Sequence, residues 1–199
     1  MSTHITLEIA ASAARLVVEE GLEYGPAKRR AVKQLGLNGR AELPDNQQVE
    51  DAVVEYLAVF CADTQPQELA ALRETAALWM GRLAEFRPHL TGAVWRGTAT
   101  RLNDIHLQLY CDDSKSAEIA LLDKGVDYDV GSVPGPRGHS VDRLSMTVQC
   151  PGLQEAVGLH LTILDADDLR GALKPDAKGK TERGDLSALQ RMMAEPNPT

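Results

Sequence analysis

The chain has 199 residues, of which 43% are hydrophobic and 25% are charged, a composition typical of a folded globular protein. Its 29 acidic and 21 basic residues give a net charge of −8, which disfavours general binding to the phosphate backbone of nucleic acids. Aromatic residues make up only 4% of the chain, so a platform that stacks single-stranded bases is not expected either.

The three cysteines indicate a reducing compartment. Cys61, Cys111 and Cys150 are widely spaced and odd in number, which favours free thiols over a disulfide framework or a zinc finger. No apolar run approaches the roughly eighteen residues of a membrane span, and the N-terminus lacks the layout of a secretory signal. We therefore expect a cytoplasmic protein without a membrane partner.

The first 87 residues show helical spacing of their apolar side chains, interrupted by Gly and Pro. Asp45 is a candidate N-cap, and Pro66 suits the first turn of a helix. The pattern predicts three or four helices, over residues 6–20, 27–35, 45–61 and 66–86. Residues 1–87 are therefore interpreted as an N-terminal helical region.

The hydrophobic period changes after residue 87. Residues 91–97 predict a short strand that enters a glycine-containing turn, and the stretch after the following polar loop alternates strictly between polar and apolar side chains. The polar positions of this second strand are Asp104, His106, Gln108 and Tyr110. Alternation predicts that one face of the strand joins the core while the other is available for chemistry.

The remaining sequence predicts one more helix, three more strands and a polar C-terminal part. The helix covers residues 115–124, and the strands cover 126–130, 143–149 and 157–164. A short helix over 165–173, a polar mobile segment over 174–184, a helical piece over 186–193 and a disordered tail after Glu195 follow. This order predicts an α+β fold with a mixed sheet, organised as a helical region (1–87), an α+β core (88–173) and a polar linker, short helix and flexible tail (174–199).

Three short motifs lie between residues 91 and 110. They are Gly92-Ala93, Arg96-Gly97 and Asn103-Asp104-Ile105-His106-Leu107. Their succession resembles the signature of the nucleotidyltransferase fold, the DNA polymerase beta-like superfamily, in which a strand ends in Gly-Ser, Arg-Gly follows, and the next strand carries Ser-Asp-Ile-Asp-Leu. The resemblance implies a helical region packed on a small mixed-sheet core, and a nucleoside triphosphate whose phosphates meet the turn formed by Gly92, Ala93, Arg96 and Gly97.

The same resemblance implies a metal site. Family members hold Mg²⁺ through two acids one residue apart on one strand and a third acid on a later strand, and the matching positions here are Asp104, His106 and His160. These three are the implied catalytic and metal-binding residues. Imidazole is a poor Mg²⁺ ligand but suits zinc and similar metals, so the expected cofactor is a divalent metal, either Mg²⁺ or a transition metal. Ala93 lacks the hydroxyl of the family's serine, so the site is degenerate.

Two hypotheses of function remain open at this point. In the first, the chain is a degenerate nucleotidyltransferase-like protein that binds a nucleotide or metal in the sheet groove; if active, it moves a nucleotidyl group from a nucleoside triphosphate. In the second, it is a non-catalytic scaffold or interaction module that retains the fold and contacts a protein or small ligand, and its polar strand residues only form hydrogen bonds. Arg96 contacts either a phosphate or a surface carboxylate, and Asp127 and Asp129 either add acidity near the site or line a solvated strand face.

Overall fold

The structure, a computed structural model, describes residues 2–195, and in this part of the chain seven α-helices accompany one six-stranded mixed sheet. The helices are α1 (Ser2–Glu20), α2 (Tyr24–Gln34), α3 (Asn46–Phe60), α4 (Gln65–Arg82), α5 (Gly92–Arg96), α6 (Ser116–Asp123) and α7 (Leu186–Ala194). The strands are β1 (His89–Thr91), β2 (Ile105–Cys111), β3 (Asp129–Pro134), β4 (Ser140–Cys150), β5 (Glu155–Asp165) and β6 (Arg183–Gly184). The predicted α+β fold with an N-terminal helical region is confirmed. The predicted disordered tail lies outside the described residues.

The first of two compact units contains the chain up to Pro66 together with Thr100–Leu102. In this unit α1 packs against α2 and α3, because each helix places apolar side chains at helical spacing on one face. A capping box starts α3: the Asp45 carboxylate accepts from the Gln48 amide at 2.7 Å, and the Gln48 side chain accepts from the Asp45 amide at 2.8 Å. The buried core of this unit includes Ile9, Ala13, Leu16, Ala27, Ala31, Val49, Val53 and Leu57.

The second unit contains residues 67–99 and the chain from Asn103 onward, and it holds the sheet. The strand order is β3-β4-β5-β2-β1-β6, in which only β2 and β5 run parallel. The division between the units precedes the predicted boundary at residue 87, because the apolar side of α4 belongs to the core of the sheet. That core includes Leu72, Trp79 and Met80 of α4, Ile105, Leu107 and Leu109 of β2, and Leu159, Leu161 and Ile163 of β5.

A short helix, α5, occupies the position where the sequence predicted only a turn. It begins at Gly92, whose φ of 75° lies in the left-handed region that glycine adopts readily. It ends at Arg96 and is capped by Gly97, and Arg73 of α4 binds this end by donating to the Val94 and Trp95 carbonyls at 3.0 Å each. These carbonyls lack partners within so short a helix, so the half-buried guanidinium fixes the β1–α5–β2 connection.

The C-terminal part of the second unit is more ordered than its polar composition predicted. The short strand β6 pairs with β1, with Thr91 opposite Arg183. Ahead of it, the carbonyls of Thr181 and Glu182 accept hydrogen bonds from the Trp95 indole at 2.8 Å and from the Thr91 hydroxyl at 3.1 Å. These contacts hold a segment that the sequence predicted to be mobile. The predicted helix over 165–173 is reduced to a 3-10 turn, Ala166–Leu169.

None of the helices in residues 2–195 combines the length and the apolar character that crossing a bilayer requires.

Candidate functional site

The structure brings the three predicted site residues together on the polar face of the sheet. In the parallel pair of β2 and β5, His106 lies opposite His160, and the two imidazole rings stack with centroids 4.9 Å apart and planes inclined by 22°. Asp104 immediately precedes β2, and its Oδ2 lies 2.8 Å from Nε2 of His160. The strand register therefore places one carboxylate and two imidazoles in direct contact.

A hydrogen-bonded row runs from Asp104 through His160 to Ser145. An ionised carboxylate can only accept a hydrogen bond, so Nε2 of His160 carries a proton and donates it to Asp104. In the tautomer with the proton on Nε2, Nδ1 has a free lone pair that accepts from the Ser145 hydroxyl, 2.8 Å away. Ser145 reaches this position because β4 and β5 pair antiparallel with Ser145 opposite His160. The sequence analysis did not identify Ser145.

Gly158 leaves room for the Asp104 carboxylate and also binds it. Its amide donates to Oδ1 of Asp104 at 3.3 Å. A Cβ atom at this position would lie 2.5 to 2.6 Å from the carboxylate atoms, a separation that forces one of the two groups to move. Glycine at position 158 therefore allows Asp104 to face His160. Neither the spacing nor the alternation of the sequence indicated this role.

Arg143 adds a guanidinium to the same face. It lies two residues before Ser145 on β4 and opposite Thr162 on β5, so its side chain shares the face of the row. Within the described part of the chain this side chain forms no hydrogen bond or ion pair. Its charge nevertheless contributes to lowering the pKa of His106, two strands away. We call Asp104, His106, Arg143, Ser145 and His160 the histidine cluster.

His106 is neutral at physiological pH. Burial, followed by the influence of His160 and Arg143, lowers the pKa of its imidazole from 6.5 to about 4, while Asp104 acts in the opposite direction. Arg96 contributes to the same lowering of the pKa. Burial, the largest cause, would disfavour a charge on this ring even without the neighbouring cations.

Only part of the predicted phosphate turn borders the histidine cluster. Thr91 pairs with His106 across β1 and β2, and a Cβ built on Gly92 would lie 3.7 Å from the His106 ring, so Gly92 borders the cluster. Ala93 is half-buried and packs against the hydrophobic core. Gly97 ends α5, where a Cβ would lie 3.4 Å from the Arg73 guanidinium. Gly97 thus supports the helix end, and its contact with a phosphate stays a prediction.

The metal role predicted for Asp104, His106 and His160 competes with the hydrogen bonds of the cluster. Both ring nitrogens of His160 are engaged, by Ser145 and by Asp104, and both oxygens of Asp104 accept hydrogen bonds. A metal ligand must instead direct a lone pair at the ion. Within residues 2–195 no three or more His, Cys, Asp or Glu side chains are grouped so that they could hold a metal ion. The metal role stays a prediction that requires these bonds to be exchanged.

The other candidate residues lie apart from the histidine cluster or on its margin. Asp129 is exposed on β3, opposite Ser145, whereas Asp127 precedes that strand and is not part of it. Burial, with help from Asp112, raises the pKa of the Cys111 thiol to about 11, so a thiolate nucleophile is not favoured there.

A separate cavity of about 490 Å³ lies at the carboxyl ends of β2 and β5, and the sequence analysis did not predict it. Basic side chains at its rim pair with three of its acids: Arg87 with Asp112 at 3.9 Å, Lys115 with Asp142 at 3.7 Å, and Arg137 with Asp168 at 2.7 Å. Arg137 is therefore bound in an ion pair. The acidic residues that line this cavity are Asp112, Asp113, Asp142, Asp165 and Asp168.

No protein-family model matches the chain, and no curated protein is significantly similar to it in sequence. The resemblance to the nucleotidyltransferase fold therefore rests on the motifs between residues 91 and 110 and remains a hypothesis.

Proposed function

We propose that this chain is a nucleotidyltransferase-like protein that binds a nucleoside triphosphate through its phosphates, at the histidine cluster, without catalysing nucleotidyl transfer. The observation that carries the proposal is the Arg143 guanidinium, which has no carboxylate partner in the described part of the chain and belongs to the same sheet face as two stacked imidazoles. A charged group in such a position is stabilised by a ligand of opposite charge.

The chemistry of the surrounding groups favours a phosphate ligand. A guanidinium presents paired donors that match two phosphate oxygens. Gly92, with its left-handed backbone beside His106, allows a ligand to approach the main chain closely. A neutral His106 adds hydrogen-bonding capacity without a charge of its own. These features support binding of an anion by direct contacts.

The residues of the cluster also support the absence of nucleotidyl transfer. The family resemblance implies three acids that hold Mg²⁺ ions on the triphosphate, and this chain keeps one of them, Asp104. Its carboxylate is already bound by His160 and by the Gly158 amide. Loss of two acids removes most of the charge that a two-metal phosphoryl-transfer site needs. The chain is therefore expected to bind the triphosphate without transferring its nucleotidyl group.

Isothermal titration calorimetry of the full chain with ATP tests the proposal, with adenosine as the ligand that lacks phosphates. We expect ATP to bind and adenosine to fail. Arg143→Gln should weaken ATP binding about tenfold or more, the effect of losing a charged hydrogen bond. Arg191→Gln, which removes the same charge from an exposed position on α7, is the matched control. Titrations with Mg²⁺, Mn²⁺ or Zn²⁺ added show whether the predicted metal contributes.

The proposal fails if no heat of binding and no thermal shift occurs with ATP at any metal condition, or if Arg143→Gln binds ATP as tightly as the unmodified chain. That outcome would favour the alternative, a scaffold with a protein partner. The helical unit offers one observation for it: Val59 and Phe60, at the end of α3, are apolar yet 66% and 69% exposed. Apolar side chains in such positions are available for contact with another protein.

A further inference from the structure

We propose that Ser145 is a nucleophile, activated by His160 and Asp104, and that the chain hydrolyses small activated esters through an acyl-Ser145 intermediate. The inference does not depend on nucleotide binding. It rests on the geometry of the row, in which Ser145, His160 and Asp104 are joined by two hydrogen bonds of 2.8 Å each. Nucleophile, base and orienting acid in this order are the signature of an activated serine.

The tautomer of His160 suits the role of a general base. Asp104 accepts the hydrogen bond from Nε2, which leaves the lone pair of Nδ1 directed at the Ser145 hydroxyl. Asp104 is itself fixed by the Gly158 amide. In the serine protease triad Nε2 of the histidine faces the serine and Nδ1 faces the acid, whereas here Nδ1 faces Ser145 and Nε2 faces Asp104. The roles of the three groups are the same.

The row is accessible to a small molecule. The side chain of His160 is 18% exposed and that of Asp104 is 47% exposed, and Ser145 is half-buried rather than enclosed. Arg143 lies roughly 7 Å along the strand from Ser145, by the rise of two residues, and its charge acts on His106 across the row. The positive charge of Arg143 on this face favours the negative charge that develops on a carbonyl oxygen during attack.

The reaction proceeds in two balanced steps. In the first, Oγ of Ser145 bonds to the ester carbonyl carbon, its proton moves to Nδ1 of His160, and the carbonyl electron pair moves to oxygen. The intermediate collapses, the ester C–O bond breaks, and the alcohol leaves with the proton from Nδ1. In the second step water attacks acyl-Ser145, gives a proton to Nδ1, and the acid is released as Ser145 recovers that proton. Asp104 stays ionised throughout and stabilises the imidazolium.

Labelling with a fluorophosphonate probe, followed by peptide mass spectrometry, tests the proposal on the full chain. We expect a covalent adduct at Ser145 and none in Ser145→Ala. Ser132→Ala removes an exposed serine from the neighbouring strand β3 and should leave labelling unchanged. Asp104→Asn should slow labelling by about a hundredfold, because the orientation of the general base is lost.

A second measurement keeps the test independent of folding defects. Hydrolysis of p-nitrophenyl acetate should show an initial burst of p-nitrophenol close to one equivalent per chain, since an acyl-enzyme accumulates. Ser145→Cys keeps a nucleophile and should retain a burst, which a purely structural serine would not explain. Absence of an adduct at Ser145 while a known serine hydrolase is labelled in parallel, or equal labelling of Ser132 and Ser145, overturns the proposal.

Discussion

His106 makes the stability of the sheet-containing unit depend on pH below neutrality. Burial, then His160 and Arg143, lower the pKa of the imidazole from 6.5 to about 4. Between these two pKa values the unfolded chain binds a proton at His106 and the folded chain does not. The contribution of His106 to the free energy of unfolding is therefore present above pH 6.5 and is lost as the pH falls toward 4. With these two pKa values, the loss at pH 5 relative to pH 8 is about 2 kcal/mol.

Urea unfolding followed by tryptophan fluorescence at pH 8 and pH 5 measures this loss. Trp79 and Trp95 both lie buried in the unit that contains His106, so the signal reports on that unit. His106→Gln removes the titrating group, and its loss of stability on acidification should be smaller than that of the unmodified chain by about 2 kcal/mol. His139→Gln, in an exposed loop, should keep the full loss. Equal losses in His106→Gln and the unmodified chain would refute the reasoning.

Two further predictions concern the two units separately. Gly184→Ala places a Cβ atom 2.1 Å from the Trp95 ring and should destabilise the sheet unit by about 2 kcal/mol, whereas Gly81→Ala, which meets open space on α4, should stabilise it by up to about 1 kcal/mol. Tryptophan fluorescence in urea measures both, and equal stabilities would contradict the packing argument. Asp45→Ala should cost the helical unit about 1 kcal/mol, measured by circular dichroism, whereas Asp51→Ala should change it by less than about 0.5 kcal/mol. A cost no greater for Asp45→Ala would contradict the capping role.

The spacing of apolar residues along the sequence predicted most of the helices and strands. The alternation from Asp104 to Cys111 predicted β2 with the correct inward side, although Tyr110 on the other face is buried as well, and the sequence from 157 to 164 predicted most of β5. The helical spacing of the first 87 residues predicted the four long helices, although α1 and α2 begin earlier than expected. The resemblance then suggested that Asp104, His106 and His160 lie together, and the parallel register of β2 and β5 places them in contact.

The remaining features depend on contacts between distant residues, which no local pattern encodes. Ser145 and Arg143 join the cluster only through the register of β4 against β5, and a slip of one residue would turn both to the opposite face. The need for glycine at position 158 comes from the nearby carboxylate of Asp104, which is 54 residues away in sequence. The strand β6 has two residues, too few for any period to appear.

Both edges of the sheet limit the intermolecular growth that leads to fibrous aggregates. At one edge β6 exposes the backbone of only two residues. At the other edge β3 starts with an exposed Asp129 and ends with Pro134; a carboxylate repels the same edge of a second copy, and proline has no amide to donate. Neither edge therefore offers a long, uncharged template on which another chain could add a strand.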